Sequence, residues 1–82
     1  MYSVEFTKTA EGQLYILPKE IQIRIINVLE RIKIRPFHFI KRKEGTLYFI
    51  MRAGDYRAIL DVKTKEFKIY VIEVGHRKNI YD

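Results

Sequence analysis

Arg52 and Arg57 stand five residues apart on either side of the turn-forming triplet Ala53-Gly54-Asp55, a spacing that sets them opposite one another across a hairpin. Like charges directly opposed on a sheet lower stability unless a carboxylate or an anionic ligand lies between them. The pair therefore marks either an anion site or two cations neutralised within the chain by Asp55 or Glu73. A second cluster, Val74-Gly75-His76-Arg77-Lys78, brings an imidazole beside two cations and five residues ahead of Tyr81. Histidine titrates near pH ~6.5, so His76 is a candidate proton carrier at neutral pH; alone it would read as an ordinary surface histidine.

Other chemistries lack their residues. The chain has no cysteine, and its two histidines, His38 and His76, are far apart, so neither a disulfide nor a zinc site is expected. Gly12, Gly45, Gly54 and Gly75 form no phosphate-binding loop or dinucleotide fingerprint. The sole serine, Ser3, lies near the start on an expected strand, which argues against serine-based acyl transfer. What remains is work on a phosphodiester without a metal or other cofactor, or binding without catalysis.

These residues sit in a chain of 82 residues, short enough to be read as one domain over 1–82. Its formal net charge of +6 is uneven: residues 1–30 sum to −1 and the rest to +7. A basic surface favours anionic partners such as nucleic acid or an acidic protein, with simple solubility as the plain alternative. The Lys41-Arg42-Lys43 run is the basic centre of residues 37–45, although a run of three is usually just solvated. No apolar stretch reaches the ~18 residues needed to span a bilayer, and Met1-Tyr2-Ser3-Val4-Glu5-Phe6 alternates like a strand rather than a signal peptide. A cytoplasmic protein with no membrane partner is expected.

The elements that must position the candidates follow from periodicity. After the opening strand, Thr7 or Thr9 caps a short helix burying Ala10, Leu14 and Leu17, which Gly12 weakens. Pro18 opens a second helix whose stripe is Ile21, Ile25, Val28, Leu29 and Ile32, ending before Pro36. Ile23, Ile26 and Ile34 lie off that stripe and are candidates for a partner contact. Residues 37–45 read as a loop. Strands are expected at Thr46–Arg52, Tyr56–Val62 and Phe67–Val74, making two hairpins. In the expected register Tyr48 faces Asp61 and Asp61 faces Lys68; Leu47, Phe49, Met51, Ala58, Leu60, Ile69 and Val71 then form one apolar face. The order β-α-α-β-β-β argues for an α+β domain with two helices on one face of an antiparallel sheet.

With these residues in this order, the chain resembles the RelE/ParE superfamily of toxins from toxin–antitoxin pairs. The likeness spans nearly the whole length. It rests on Val4-Glu5-Phe6-Thr7-Lys8, on Leu17-Pro18-Lys19-Glu20-Ile21 between the helices, on Arg52-Ala53-Gly54-Asp55-Tyr56-Arg57, and on Val74-Gly75-His76-Arg77-Lys78-Asn79-Ile80-Tyr81. The resemblance implies a RelE-like fold with the sheet curved around a nucleic-acid-binding face.

It further implies a ribosome-dependent endoribonuclease that cuts messenger RNA in the A site without a metal ion. Matched by position, Arg57, Arg77 and Tyr81 correspond to the residues that carry the reaction in RelE itself. The arginines would offset charge building on the phosphate while the ribose 2′-hydroxyl attacks, and Tyr81 or His76 would move protons. RelE has lysines on the strand before the arginine hairpin, where this chain has Tyr48 and Ile50. RNA binding then falls to Arg52, Lys41, Arg42, Lys43 and Lys78. The implied partners are the ribosome, messenger RNA and a RelB-like antitoxin held in a toxin–antitoxin hetero-oligomer, covering Ile23, Ile26 and Ile34. ParE-like relatives share the fold but bind and inhibit DNA gyrase, so a non-nuclease toxin or a catalytically weak homologue is the alternative.

Overall fold

The computed structural model describes residues 1–80. In chain order it contains β1 (Ser3–Phe6), α1 (Lys8–Tyr15), α2 (Lys19–Ile32), a 3-10 turn (Pro36–His38), β2 (Ile40–Arg42), β3 (Phe49–Ala53), β4 (Tyr56–Lys63) and β5 (Lys68–His76). The strands form one sheet in the order β1-β5-β4-β3-β2. The two helices cover one face, as the stripes require. Ala10 and Leu14 of α1 and Ile25, Leu29 and Ile32 of α2 pack against Met51, Ala58, Leu60, Ile69, Val71 and Val74. Each large aliphatic side chain so buried contributes about 1.5–3 kcal/mol relative to exposure.

Thr7 joins the first helix to the sheet. Its Oγ1 accepts from the Ala10 amide, capping α1, and lies 3.3 Å from the carbonyl oxygens of both Val71 and Ile72. The turn between helices is closed by Gln22, whose Nε2 donates to the Leu17 carbonyl at 2.9 Å.

The expected α+β order is present, and four details differ. First, β1 pairs parallel to β5, through Ser3 with Lys68 and Phe6 with Val71, so the sheet is mixed rather than wholly antiparallel. A strand returning after two helices can re-enter the sheet in either sense, and periodicity does not choose between them. Second, the expected loop contains β2, which pairs with β3 through Lys41 with Ile50. Third, that hairpin takes up Thr46, Leu47 and Tyr48: the Lys43 amide donates to the Tyr48 carbonyl, Gly45 adopts φ +76°, and Leu47 is 82% exposed instead of lying on the apolar face.

Fourth, the second hairpin has Asp61 opposite Tyr70 and Lys63 opposite Lys68, not Asp61 opposite Lys68. Phe67, expected to begin a strand, sits in the turn with φ +54°. A shift of two residues keeps the inward and outward faces of this end unchanged. Further along β5 the ladder breaks: Leu60 faces Val71 but Ile59 faces Glu73, leaving Ile72 as a β-bulge. That extra residue reverses the parity of everything after it. Val74 turns into the core, and Gly75 comes opposite Arg57. Among the described residues no helix is long and apolar enough to cross a membrane.

Candidate functional site

The first hairpin has the expected register: Arg52 faces Arg57 and Ile50 faces Ile59. Because Met51, Ala58 and Leu60 point to the helices, alternation sends Arg52, Arg57, Ile50, Ile59, Gly75 and Glu73 to the opposite face. Lys41, opposite Ile50 on β2, joins them.

Arg57 is the unusual member, since only 8% of it is exposed. Its Nη1 donates to the carbonyls of Gly54 and Tyr56, both at 2.9 Å. Gly54 makes this turn possible, with φ +63°, a conformation that disfavours residues with a side chain. Arginine stays protonated at any ordinary pH, so a fixed positive charge is held in one orientation beneath the sheet surface.

Arg77 reaches the same turn from β5. Its amide donates to the Asp55 carbonyl at 2.8 Å, and its Nε stands 3.9 Å from Asp55 Oδ1. Both side chains of that contact are largely exposed, so the pair is a weak tether that an anionic ligand can replace. The Gly54-Asp55 turn is thus contacted by Arg57 through its guanidinium and by Arg77 through its amide and a long side-chain ion pair.

Ile80 completes the face. The amides of Asn79 and Ile80 both donate to the His76 carbonyl, curling the chain back so that Ile80 packs on Ile50 and Ile59. Gly75 lies beneath it, and a Cβ there would stand 3.2 Å from Ile80 Cδ1.

His76 is not brought to Arg57. The bulge sets it opposite Tyr56 on the helix side, where the two rings meet edge to face at 5.2 Å. There it borders a hollow of about 300 Å³ with Gln13, Leu17 and Asn79. Its Nδ1 accepts from the Lys78 amide at 3.1 Å, which assigns the proton of the neutral ring to Nε2. Tyr81 lies outside the described residues.

The basic candidates divide between faces. Lys41 and Arg52 share the arginine face; Arg42 stacks over the Phe49 ring at 4.9 Å, on the other side of β2. Lys43 belongs to the β2–β3 turn and Lys78 to the C-terminal turn. Of the three isoleucines off the core stripe, Ile23 is 52% exposed and borders a groove of about 520 Å³ between α2 and the Gly54 turn; Ile26 and Ile34 are exposed as well. Arg24, Arg31 and Arg52 line the same groove.

Sequence reasoning missed Arg24 and Arg31, whose i, i+7 spacing with Ile23 beside them was the available signal. It also missed the hollow beside β2 formed by His38 and Phe39. Among the described residues, no group of three or more histidine, aspartate or glutamate side chains is arranged to hold a metal ion.

No family model matches the chain. It is 31% identical over 85 aligned positions to Toxin RelG of Mycobacterium tuberculosis, covering 98% of this chain and 95% of that protein. Its fold is similar to the toxin–antitoxin complex RelBE2 of the same organism, with TM-score 0.83, 28% identity, and coverage of 93% of this chain and 98% of the other. It is also similar to the archaeal RelE–RelB complex of Pyrococcus horikoshii, with TM-score 0.79, 28% identity and coverage of 93% and 94%. The Escherichia coli RelBE complex, at 19% identity and TM-score 0.79 over 93% of this chain and 96% of the other, shares the fold. The chain belongs to the RelE family of toxins.

Proposed function

We propose that this toxin is a ribosome-dependent endoribonuclease that cleaves messenger RNA in the A site and so inhibits translation in the cytoplasm. The observation carrying the reading is the buried guanidinium of Arg57, held by the carbonyls of Gly54 and Tyr56, on the turn that also binds Arg77. In the reaction the ribose 2′-oxygen bonds to the adjacent phosphorus, its proton leaves to a base, and the bond to the 5′-oxygen breaks as that oxygen gains a proton. Charge accumulates on the non-bridging oxygens. Donors already oriented there lower the barrier without reorganising, which is the role assigned to Arg57 and Arg77. No step requires a metal ion.

Proton transfer is assigned to the C-terminal residues Tyr81 and His76. The Lys78 amide donates to His76 Nδ1, so the ring has only Nε2 to offer in proton transfer. It must leave the helix side of β5 to reach the phosphate, which makes Tyr81 the first candidate. RNA binding falls to Arg52, Lys41, Lys43 and Lys78 around the face, with Arg42 at its margin.

The partner proposed is a RelB-like antitoxin. The groove combining Ile23 with Arg24, Arg31 and Arg52 fits an acidic, amphipathic segment, with Ile26 and Ile34 extending the contact. Binding only to the folded toxin would stabilise it by mass action.

Programmed ribosomes incubated with the free toxin in EDTA should yield RNA ends in phase with codons. A parallel supercoiling assay tests a ParE-like action on gyrase. That second reading is favoured by one feature, the apolar Ile50 under Ile80 where RelE has a cation. Blocked supercoiling with intact RNA would establish it and displace the nuclease.

A further inference from the structure

Beside β2 the arginine face opens into a hollow of about 280 Å³ that the reaction above does not use. Its floor is Ile50, Ile40 of β2 lies at its edge, its rim carries His38 and Phe39, and Lys41 and Arg52 flank it. The two rings are tilted neighbours with centroids 6.1 Å apart, and Phe39 is 47% exposed. Exposed aromatic rings next to cations are the combination that binds single-stranded nucleic acid, because each nucleotide offers a flat π face and a negative phosphate.

Size and position narrow the occupant. The volume falls just under the ~300 Å³ at which small-molecule pockets begin, which suits one ring system and is too small for a helix of a partner protein. Arg52 borders the hollow and is also the cross-strand neighbour of Arg57. A chain whose phosphate lies at Arg57 therefore passes Arg52 before reaching Phe39.

We propose that this hollow is a nucleotide subsite: a base of single-stranded RNA flanking the scissile phosphate stacks on Phe39, with His38 as the second ring. Lys41 and Arg52 hold the intervening phosphate. The subsite rests on the nuclease reading for its orientation, but stacking itself requires no cleavage. It also accounts for a face without a strand lysine at position 50: the cation stands one strand over, at Lys41, and the apolar Ile50 becomes the floor of a base site.

The chain has no tryptophan, so Phe39→Trp installs a single reporter in the rim. Titrated at low salt with a single-stranded RNA hexamer, its fluorescence should be quenched, while an abasic ribose-phosphate hexamer should quench little. Phe39→Ala should bind labelled RNA about ten-fold more weakly, in keeping with the loss of one base stack. Lys41→Ala should weaken RNA and abasic binding alike and reduce the salt slope by about one. Equal quenching by the abasic oligomer, no quenching by RNA, or unchanged RNA affinity in Phe39→Ala would overturn the subsite. Loss of antitoxin binding with RNA affinity intact in Phe39→Ala would also overturn it and make the hollow a protein contact. Base-dependent quenching without codon-phased cleavage by the wild type would leave the subsite standing and remove the nuclease reading; cleavage without quenching would do the reverse.

Discussion

The sheet carries two directly opposed pairs of cations on the same face, one at each end of β4. At one end Lys63 faces Lys68; at the other Arg57 faces Arg52. The lysines follow the ordinary solution for charge on a surface. Lys63 stands 3.3 Å from Asp61, Lys68 stands 3.3 Å from Glu5, and all four side chains retain solvent. At the arginine end, Arg57 is buried and fixed by two carbonyls of its own turn. Burying a cation is costly for a thin core, and hydrogen bonds that satisfy its donors offset part of that cost. The two ends thus hold their cations differently, the lysines in exposed ion pairs and Arg57 in a buried position against its own turn.

The largest test of this contrast is Arg57→Ala, which should slow RNA cleavage on programmed ribosomes by about 100-fold or more, the scale of losing one preorganised transition-state donor. Arg57→Lys should remain severely impaired because an ammonium lacks the fork. Lys63→Ala should cleave at the wild-type rate. A near-normal Arg57→Ala enzyme would put both pairs in one class.

Next comes the covering of the arginine end. Ile80 is 4% exposed on Ile50 and Ile59, so Ile80→Ala should cost about 2 kcal/mol or more in urea unfolding. A loss below ~0.5 kcal/mol would mean that the C-terminal turn does not pack in solution.

A smaller effect separates two glycines. Gly54 and Gly45 both have positive φ, but a Cβ at Gly54 would meet Arg24 Nη1 at 2.5 Å while one at Gly45 meets nothing within 4 Å. Both alanine variants should lose about 1–2 kcal/mol from backbone strain. Gly54→Ala should melt lower still, unless the Arg24 side chain swings away without loss. Equal melting temperatures would show that it does.

The smallest effect belongs to the lysine end. The hydrogen bond and charge of Glu5 raise the Lys68 pKa above its ordinary value. A raised lysine pKa adds stability below the unfolded value and loses it as pH climbs through the folded one. Glu5→Gln should therefore lower the melting temperature only marginally at pH 7, and the difference should vanish in high salt or strong alkali. A large loss at neutral pH would make this pair structural and erase the contrast.

Local signals made much of this legible. The stripe Ile25, Leu29, Ile32 is buried as its spacing requires, and the Gly54-Asp55 turn fixed the Arg52–Arg57 pairing. Legibility failed where a residue broke its own propensity or where tertiary pairing decided. Phe67 occupies positive φ without being glycine, so the second turn falls one residue later than its composition suggests and the pairing shifts by two. Ile40-Lys41-Arg42 is too short to declare itself a strand until β3 lies beside it. His76 adjoins Arg77 in the chain, which groups it with the arginines by sequence, but the bulge at Ile72 sends it to the other side of the sheet. Glu73 was the available clue, a charged residue where regular alternation required an inward one.

The same bulge determines where this fold tolerates a change in chain length. Removing Ile72 would leave Val71 opposite Leu60 and Glu73 opposite Ile59, preserving the neighbour of every later residue. Removing Tyr70 instead would invert the pattern on one side of the cut. A one-residue gap in an aligned relative is therefore harmless at position 72 and disruptive two positions earlier, and the glycine facing Arg57 keeps its station in either length of chain.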